Sequence, residues 1–134
     1  MSLTLDALLA RLDSLDPALP ASFVGPQGKT QGAWHVTRLT MGRLSHIDCD
    51  EGLSTGGEIV IELLDGPLGS PMNVRHLARI LAKGRTALAG SGPIPVQVMH
   101  RSMRHTVEDI VDGRIVLDPV HASCRPAERT SCCA

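Results

Sequence analysis

The groups in this chain best suited to chemistry are its four cysteines and a few histidines. Cys49 ends the string His46-Ile47-Asp48-Cys49, and His35 opens His35-Val36-Thr37. Cys124, Cys132 and Cys133 stand near the end of the sequence. Soft cations take thiolate and imidazole ligands, and three thiolates satisfy the trigonal geometry of arsenite. Cys132 follows Cys124 by only eight residues, so the spacing allows these thiols to share one centre. The expected ligands of a thiophilic metal or metalloid ion are therefore Cys49, Cys124, Cys132 and Cys133, with His35 as an accessory. No catalytic residue and no organic cofactor is expected.

Other chemistry fits less well. A nucleophilic thiol needs a nearby cation or helix N-terminus, whereas Cys49 is flanked by Asp48, Asp50 and Glu51. Negative neighbours disfavour a thiolate, and a bound cation reverses that penalty because its own charge dominates the local field. The plain alternative for Cys49 is a buried, inert core residue. There is no C-x-x-C pair and no zinc-type histidine spacing, and no G-x-S-x-G elbow for a serine hydrolase. Gly25-Pro26-Gln27-Gly28-Lys29-Thr30 lacks the glycine spacing of a phosphate loop and reads as a plain loop. Two other functions stay open. One is a thiol redox accessory, exchanging disulfides between the terminal cysteines and Cys49 or a partner. The other is an interaction module without ligand chemistry, offering an edge strand to another subunit.

Composition narrows the class. The 134 residues are one domain's worth, 43% hydrophobic and 20% charged, as in an ordinary globular core. Phe23 and Trp34 are the only aromatics, and the net charge is −1. Both facts argue against a nucleic-acid partner, which calls for stacking platforms and a positive field. Arg101, Arg104, His100 and His105 form one small basic cluster, read either as a solvated strand end or as a site for a small anion. No stretch has the length of a membrane span, and Leu3 to Leu12 lacks the basic start of a secretion signal. A cytoplasmic protein with reduced thiols is expected, with a homodimer left open.

The elements that must position these groups follow from periodicity. Leu5, Leu8, Leu9 and Leu12 place one apolar stripe on a helix over Leu3–Leu15, ended by Asp16-Pro17. A second helix is expected after Ser70 as cap and Pro71 at its first position, with Val74, Leu77, Ala78 and Leu81 buried and Gly84 as terminator. Strands are expected from Trp34 to Cys49 with a turn at Met41-Gly42, over Glu58–Leu64, Pro95–Arg101 and Thr106–Val111, and from Arg114 to Leu117 after an Asp112-Gly113 turn. The order is helix, three strands, helix, three strands. The predicted class is α+β: a mixed or mainly antiparallel sheet of about five or six strands, with two helices packed on it. Residues 1–121 form the domain, and residues 122–134 a flexible cysteine-bearing tail.

Strand register decides whether His35 and Cys49 meet. A two-residue turn at Met41-Gly42 sets His35 opposite Asp48 and Trp34 opposite Cys49, with Val36 and Ile47 on the second face. A one-residue bulge pairs His35 with Cys49 instead. Either way, His35 is expected within one or two residues of Cys49 on the neighbouring strand.

The strings Trp34-His35-Val36-Thr37 and Ile47-Asp48-Cys49 precede an apolar strand, a helix and a cysteine-bearing end. In this the chain resembles a domain-of-unknown-function family of small bacterial proteins, often encoded near arsenic-resistance regulators. The family pattern has a second histidine where this chain has Ala33, an acidic residue where it has Arg38 and a glycine where it has Asp50. His35, Cys49 and the terminal cysteines match. The resemblance implies a setting of arsenic resistance and no particular activity.

Overall fold

The computed structural model describes residues 2–25, 35–65 and 72–121. Over these the class is α+β, with two helices and a six-stranded mixed sheet: α1 (Leu5–Asp13), β1 (Ser22–Val24), β2 (His35–Ile47), β3 (Leu53–Leu64), α2 (Val74–Ala87), β4 (Val96–His100), β5 (Met103–Val111) and β6 (Arg114–Pro119). Across the sheet the order is β1-β6-β5-β4-β3-β2. The β1/β6 and β3/β4 pairs are parallel and the rest antiparallel. No helix among the described residues is long and apolar enough to cross a membrane.

The first helix is shorter than its periodicity suggested, and the second starts and ends later. Thr4 caps α1, its hydroxyl accepting from the Ala7 amide. Leu3 is drawn away instead, its amide donating to the Val107 carbonyl of β5 at 2.7 Å. The expected start of the second helix is corrected by three residues. Asn73 is the cap, its side-chain oxygen accepting from the His76 amide at 2.8 Å, while Ser70 and Pro71 lie outside the described residues.

Gly84 is a second correction. It lies inside α2 rather than ending it, because the missing side chain lets the helix approach the sheet. A Cβ there would stand 3.0 Å from the Ile59 side chain and 3.1 Å from that of Leu39.

The order of helices and strands stands, but the first strand triplet is assembled differently. Ser22–Val24, a short parallel strand with Phe23 and Val24 buried, was not foreseen. The Met41-Gly42 turn does not exist: β2 runs through it for 13 residues, with Met41 paired to Ile59 and Gly42 to Glu58. The Asp112-Gly113 turn is as expected, with φ of 50° and 79° at its two positions.

One apolar core lies between the helices and one face of the sheet. Leu5, Leu8, Leu12, Leu77 and Leu81 meet Ile59, Ile61, Val98, Val107, Ile115 and Leu117, all of them at most 2% exposed. The opposite face carries cross-strand polar sets. Arg38 and Thr40 of β2 both donate to Glu62 of β3, and Arg104 of β5 donates to Glu58 of β3 and Gln97 of β4. Arg38, and then Thr40, hold the Glu62 carboxyl below the usual range. β4 pairs only with Ile59–Leu63 of β3. Residues 42–58 of the β2–β3 hairpin therefore run past β4 as a two-stranded arm.

Candidate functional site

Cys49 sits at the tip of this arm. The Glu51 amide donates to the Asp48 carbonyl and the Asp48 amide to the Gly52 carbonyl, both at 2.9 Å, closing a turn around Cys49 and Asp50. Glu51 takes the left-handed conformation at φ 66°, and an Asp50 carboxylate oxygen accepts from the Gly52 amide. This is a turn followed by a left-handed residue, a common way to close a three-residue hairpin loop. Cys49 is exposed there, which removes the reading of it as a buried core thiol.

His35 is placed at the other end of the same strand. It pairs with Leu64, whereas Ile47, two residues before Cys49, pairs with Leu53. Thirteen residues of strand put roughly 40 Å between His35 and Cys49. The expectation that they lie within one or two residues of register is thus overturned within one chain. Both proposed registers assumed a reversal at Met41-Gly42, and the chain reverses instead at residues 48–52. A bulge does occur, between Val36 and Arg38, but it kinks the root of the arm and does not bring His35 to Cys49.

The other three thiols, Cys124, Cys132 and Cys133, lie outside the described residues, as does the expected tail. Pro119 pairs with His105, His105 with Val98 and Val98 with Ile61, so β6 leaves the sheet at the end where β3 and β4 finish. That is the His35 end.

At the same end, two residues of the small basic cluster meet a carboxylate, Asp65, that sequence reasoning missed. His100 is 9% exposed, and its Nε2 lies 2.7 Å from the Asp65 carboxylate. Arg101 donates to the second Asp65 oxygen. His100 first, and Arg101 next, hold the Asp65 carboxyl below its usual range. Asp65 reads in sequence as a strand breaker, and only its position after β3, beside the parallel end of β4, shows that it serves His100. Three members of the small basic cluster are accordingly held by carboxylates, Arg101 and His100 on Asp65 and Arg104 on Glu58, while His105 is buried. Arg101 and Ser102 form the β4–β5 turn, both with positive φ. These contacts favour the strand-end reading over an anion site. Among the described residues, no three His, Cys, Asp or Glu side chains converge as a metal would need.

No family model matches this chain, and no curated protein or solved structure matches it. The site is therefore read from its own geometry.

The Asp65 cluster sets a pH dependence. A carboxyl held below its unfolded value adds stability that is fully present above the unfolded pKa, near 3.9. That stability is lost as pH falls through the lower folded value. Asp65→Asn should therefore lower the melting temperature at neutral pH and flatten its fall below about pH 4. Thermal melts followed by circular dichroism from neutral to acid pH check this. Parallel curves for the two proteins would show that Asp65 contributes nothing to the acid limb.

Proposed function

We propose that this protein is a non-catalytic binding protein for a thiophilic ion, arsenite or another soft metal or metalloid, in a setting of arsenic resistance. The observation that supports this is the placement of Cys49. The thiol stands on the surface, at the tip of a built turn, with Asp48, Asp50 and Glu51 around it. Carboxylates at that turn suit a bound cation better than a nucleophile. Cys49 with Cys124 and either Cys132 or Cys133 would supply the three sulfurs that trigonal arsenic takes. Each thiol proton would leave with one arsenite hydroxyl as water, so three As–S bonds replace three As–O bonds without change of oxidation state.

Anaerobic titration of the reduced protein with arsenite, read by calorimetry and by intact mass, tests the proposal. Stoichiometric binding is expected, and it should vanish when all four cysteines become serine. Cys49→Ser alone should weaken binding strongly, whereas Cys132→Ser alone can be offset by the neighbouring Cys133, because a trigonal centre needs three sulfurs. Absence of stoichiometric binding, or binding indifferent to the fourfold replacement, overturns the proposal.

A further inference from the structure

The cationic side chains of this fold are mostly paired, except along one helix. Arg11, Arg38, Arg43, Arg85, Arg101 and Arg104 each donate to a carboxylate or hydroxyl of their own chain. Among the described residues, the arginines and lysines without such a partner are Arg75, Arg79 and Lys83 of α2, and Arg114. Arg75, Arg79 and Lys83 are exposed and fall at i, i+4 and i+8, one row over roughly 12 Å of helix. α2 contains no carboxylate. This charge order works against the helix. Arg75 stands in the first turn, where the helix dipole disfavours a cation, and no acidic residue offsets it there. Arg75 with Arg79, and Arg79 with Lys83, are like-charge pairs at i, i+4, which also destabilise a helix.

A groove runs beside this row, between α1 and α2. The two helices are antiparallel. Arg85 near the end of α2 bonds Asp6 at the start of α1, and the Arg75 amide donates to the Pro17 carbonyl just past α1. Arg75, Ala78, Arg79 and Ala82 form the α2 wall, with Leu12 and Leu15 opposite. Alanine at 78 and 82 lets another helix approach α2 closely, since the side chains at a contact set the interaxial distance. The α1 wall ends in Asp13, an exposed carboxylate that has no partner among the described residues. The groove is therefore cationic along one wall and anionic at one end of the other.

We infer that this groove seats a helix of another protein, one that carries a row of carboxylates along the flank facing α2. Cations left without a partner in their own chain call for anions, and their i, i+4 spacing matches that of carboxylates on a helix lying alongside. Leu15 and Ala78, both partly buried, seat the apolar stripe of such a helix. Asp13 disfavours the other polyanions. A nucleic-acid backbone or an anionic membrane brings negative charge to both walls, and a net charge of −1 supplies no wider positive field to hold it. A helix can present its carboxylates to one wall only. This docking uses no thiol and stands apart from the proposed ion binding.

The test titrates the full reduced chain, labelled with nitrogen-15, with a synthetic amphipathic helical peptide. The peptide carries leucines on one flank and glutamates at i, i+4 and i+8 on the next. Amide resonances of Arg75 to Lys83 and of Asp13 to Leu15 should shift on binding. A peptide of the same composition, with its glutamates spread round the helix, should bind at least about tenfold more weakly, since a few exposed ion pairs account for roughly that factor. The combined variant Arg75→Gln, Arg79→Gln and Lys83→Gln should lose a similar factor. It should melt no lower than wild type, because the like-charge pairs are relieved and no bond is lost. No shift in the groove at millimolar peptide, equal affinity for the two peptides, or undiminished binding by the combined variant overturns the inference. So does tighter binding of a single-stranded oligonucleotide, or of vesicles of phosphatidylcholine and phosphatidylserine, through the same three residues, which would make the row a general polyanion surface.

Discussion

Leu77→Ala is expected to destabilise the fold by about 3 kcal/mol, within the range for a leucine fully enclosed in a core. Leu77 is 0% exposed and sits on the apolar stripe of α2 with Val74 and Leu81. Truncation loses the transfer free energy of the removed methyls and leaves a cavity that two helices and a sheet cannot close by small shifts. The position matters for the arm as well as for stability. The α2 helix presses close to Ile59 and Leu39 through Gly84, so it backs the part of β2 and β3 from which the arm extends. Urea denaturation should show a lower midpoint with an unchanged slope, since the folded and unfolded surfaces are nearly the same. A loss below about 1 kcal/mol would mean that the core collapses around the vacancy, contrary to the packing described.

Gly113→Val should cost a comparable amount, about 3 kcal/mol, for two separable reasons. Gly113 lies at φ 79°, where an ordinary residue costs roughly 1–2 kcal/mol and a β-branched one more. A Cβ at this position would also stand 2.9 Å from the Pro20 carbonyl oxygen, a backbone atom that cannot swing aside. Moving Pro20 would disturb β1, because the Ser22 amide donates to the Gly113 carbonyl and Pro20 bridges to Asn73, the cap of α2. The turn penalty and the displaced segment separate experimentally. Gly113→Asn, which tolerates left-handed backbone, should recover part of the loss without relieving the contact with Pro20. Equal stabilities for the Asn and Val variants would place the whole effect in the steric contact.

The two β-hairpin turns with positive φ at both positions differ in how they announce themselves. Asp112-Gly113 is readable because only glycine takes that backbone without cost. Arg101-Ser102 takes it with two ordinary side chains, at φ 50° and 64°. Nothing local asks for a turn there. It is held by its surroundings, with Arg101 bonded to Asp65 and His100 buried against the same carboxylate.

The sequence by itself determined the class and most of the elements. Leucines at helical spacing marked α1 and α2, β-branched runs marked β3 to β6, and the order of helices and strands followed from those local periods. Tertiary structure alone decided which strands neighbour each other and in what register. Ser22–Val24 is too short to show a period and becomes a strand only because β6 lies beside it. Met41-Gly42 looks like a turn locally, yet β3 pairs with β2 residue by residue across it, and that ladder outweighs the cost of one glycine. This difference governs the candidate site. The residue types His35 and Cys49 are plain in the sequence, but their separation is a product of register, which is set by pairing between distant segments. The chain's own letters could name a thiol and an imidazole; only the uninterrupted strand shows that they stand at opposite ends of one arm.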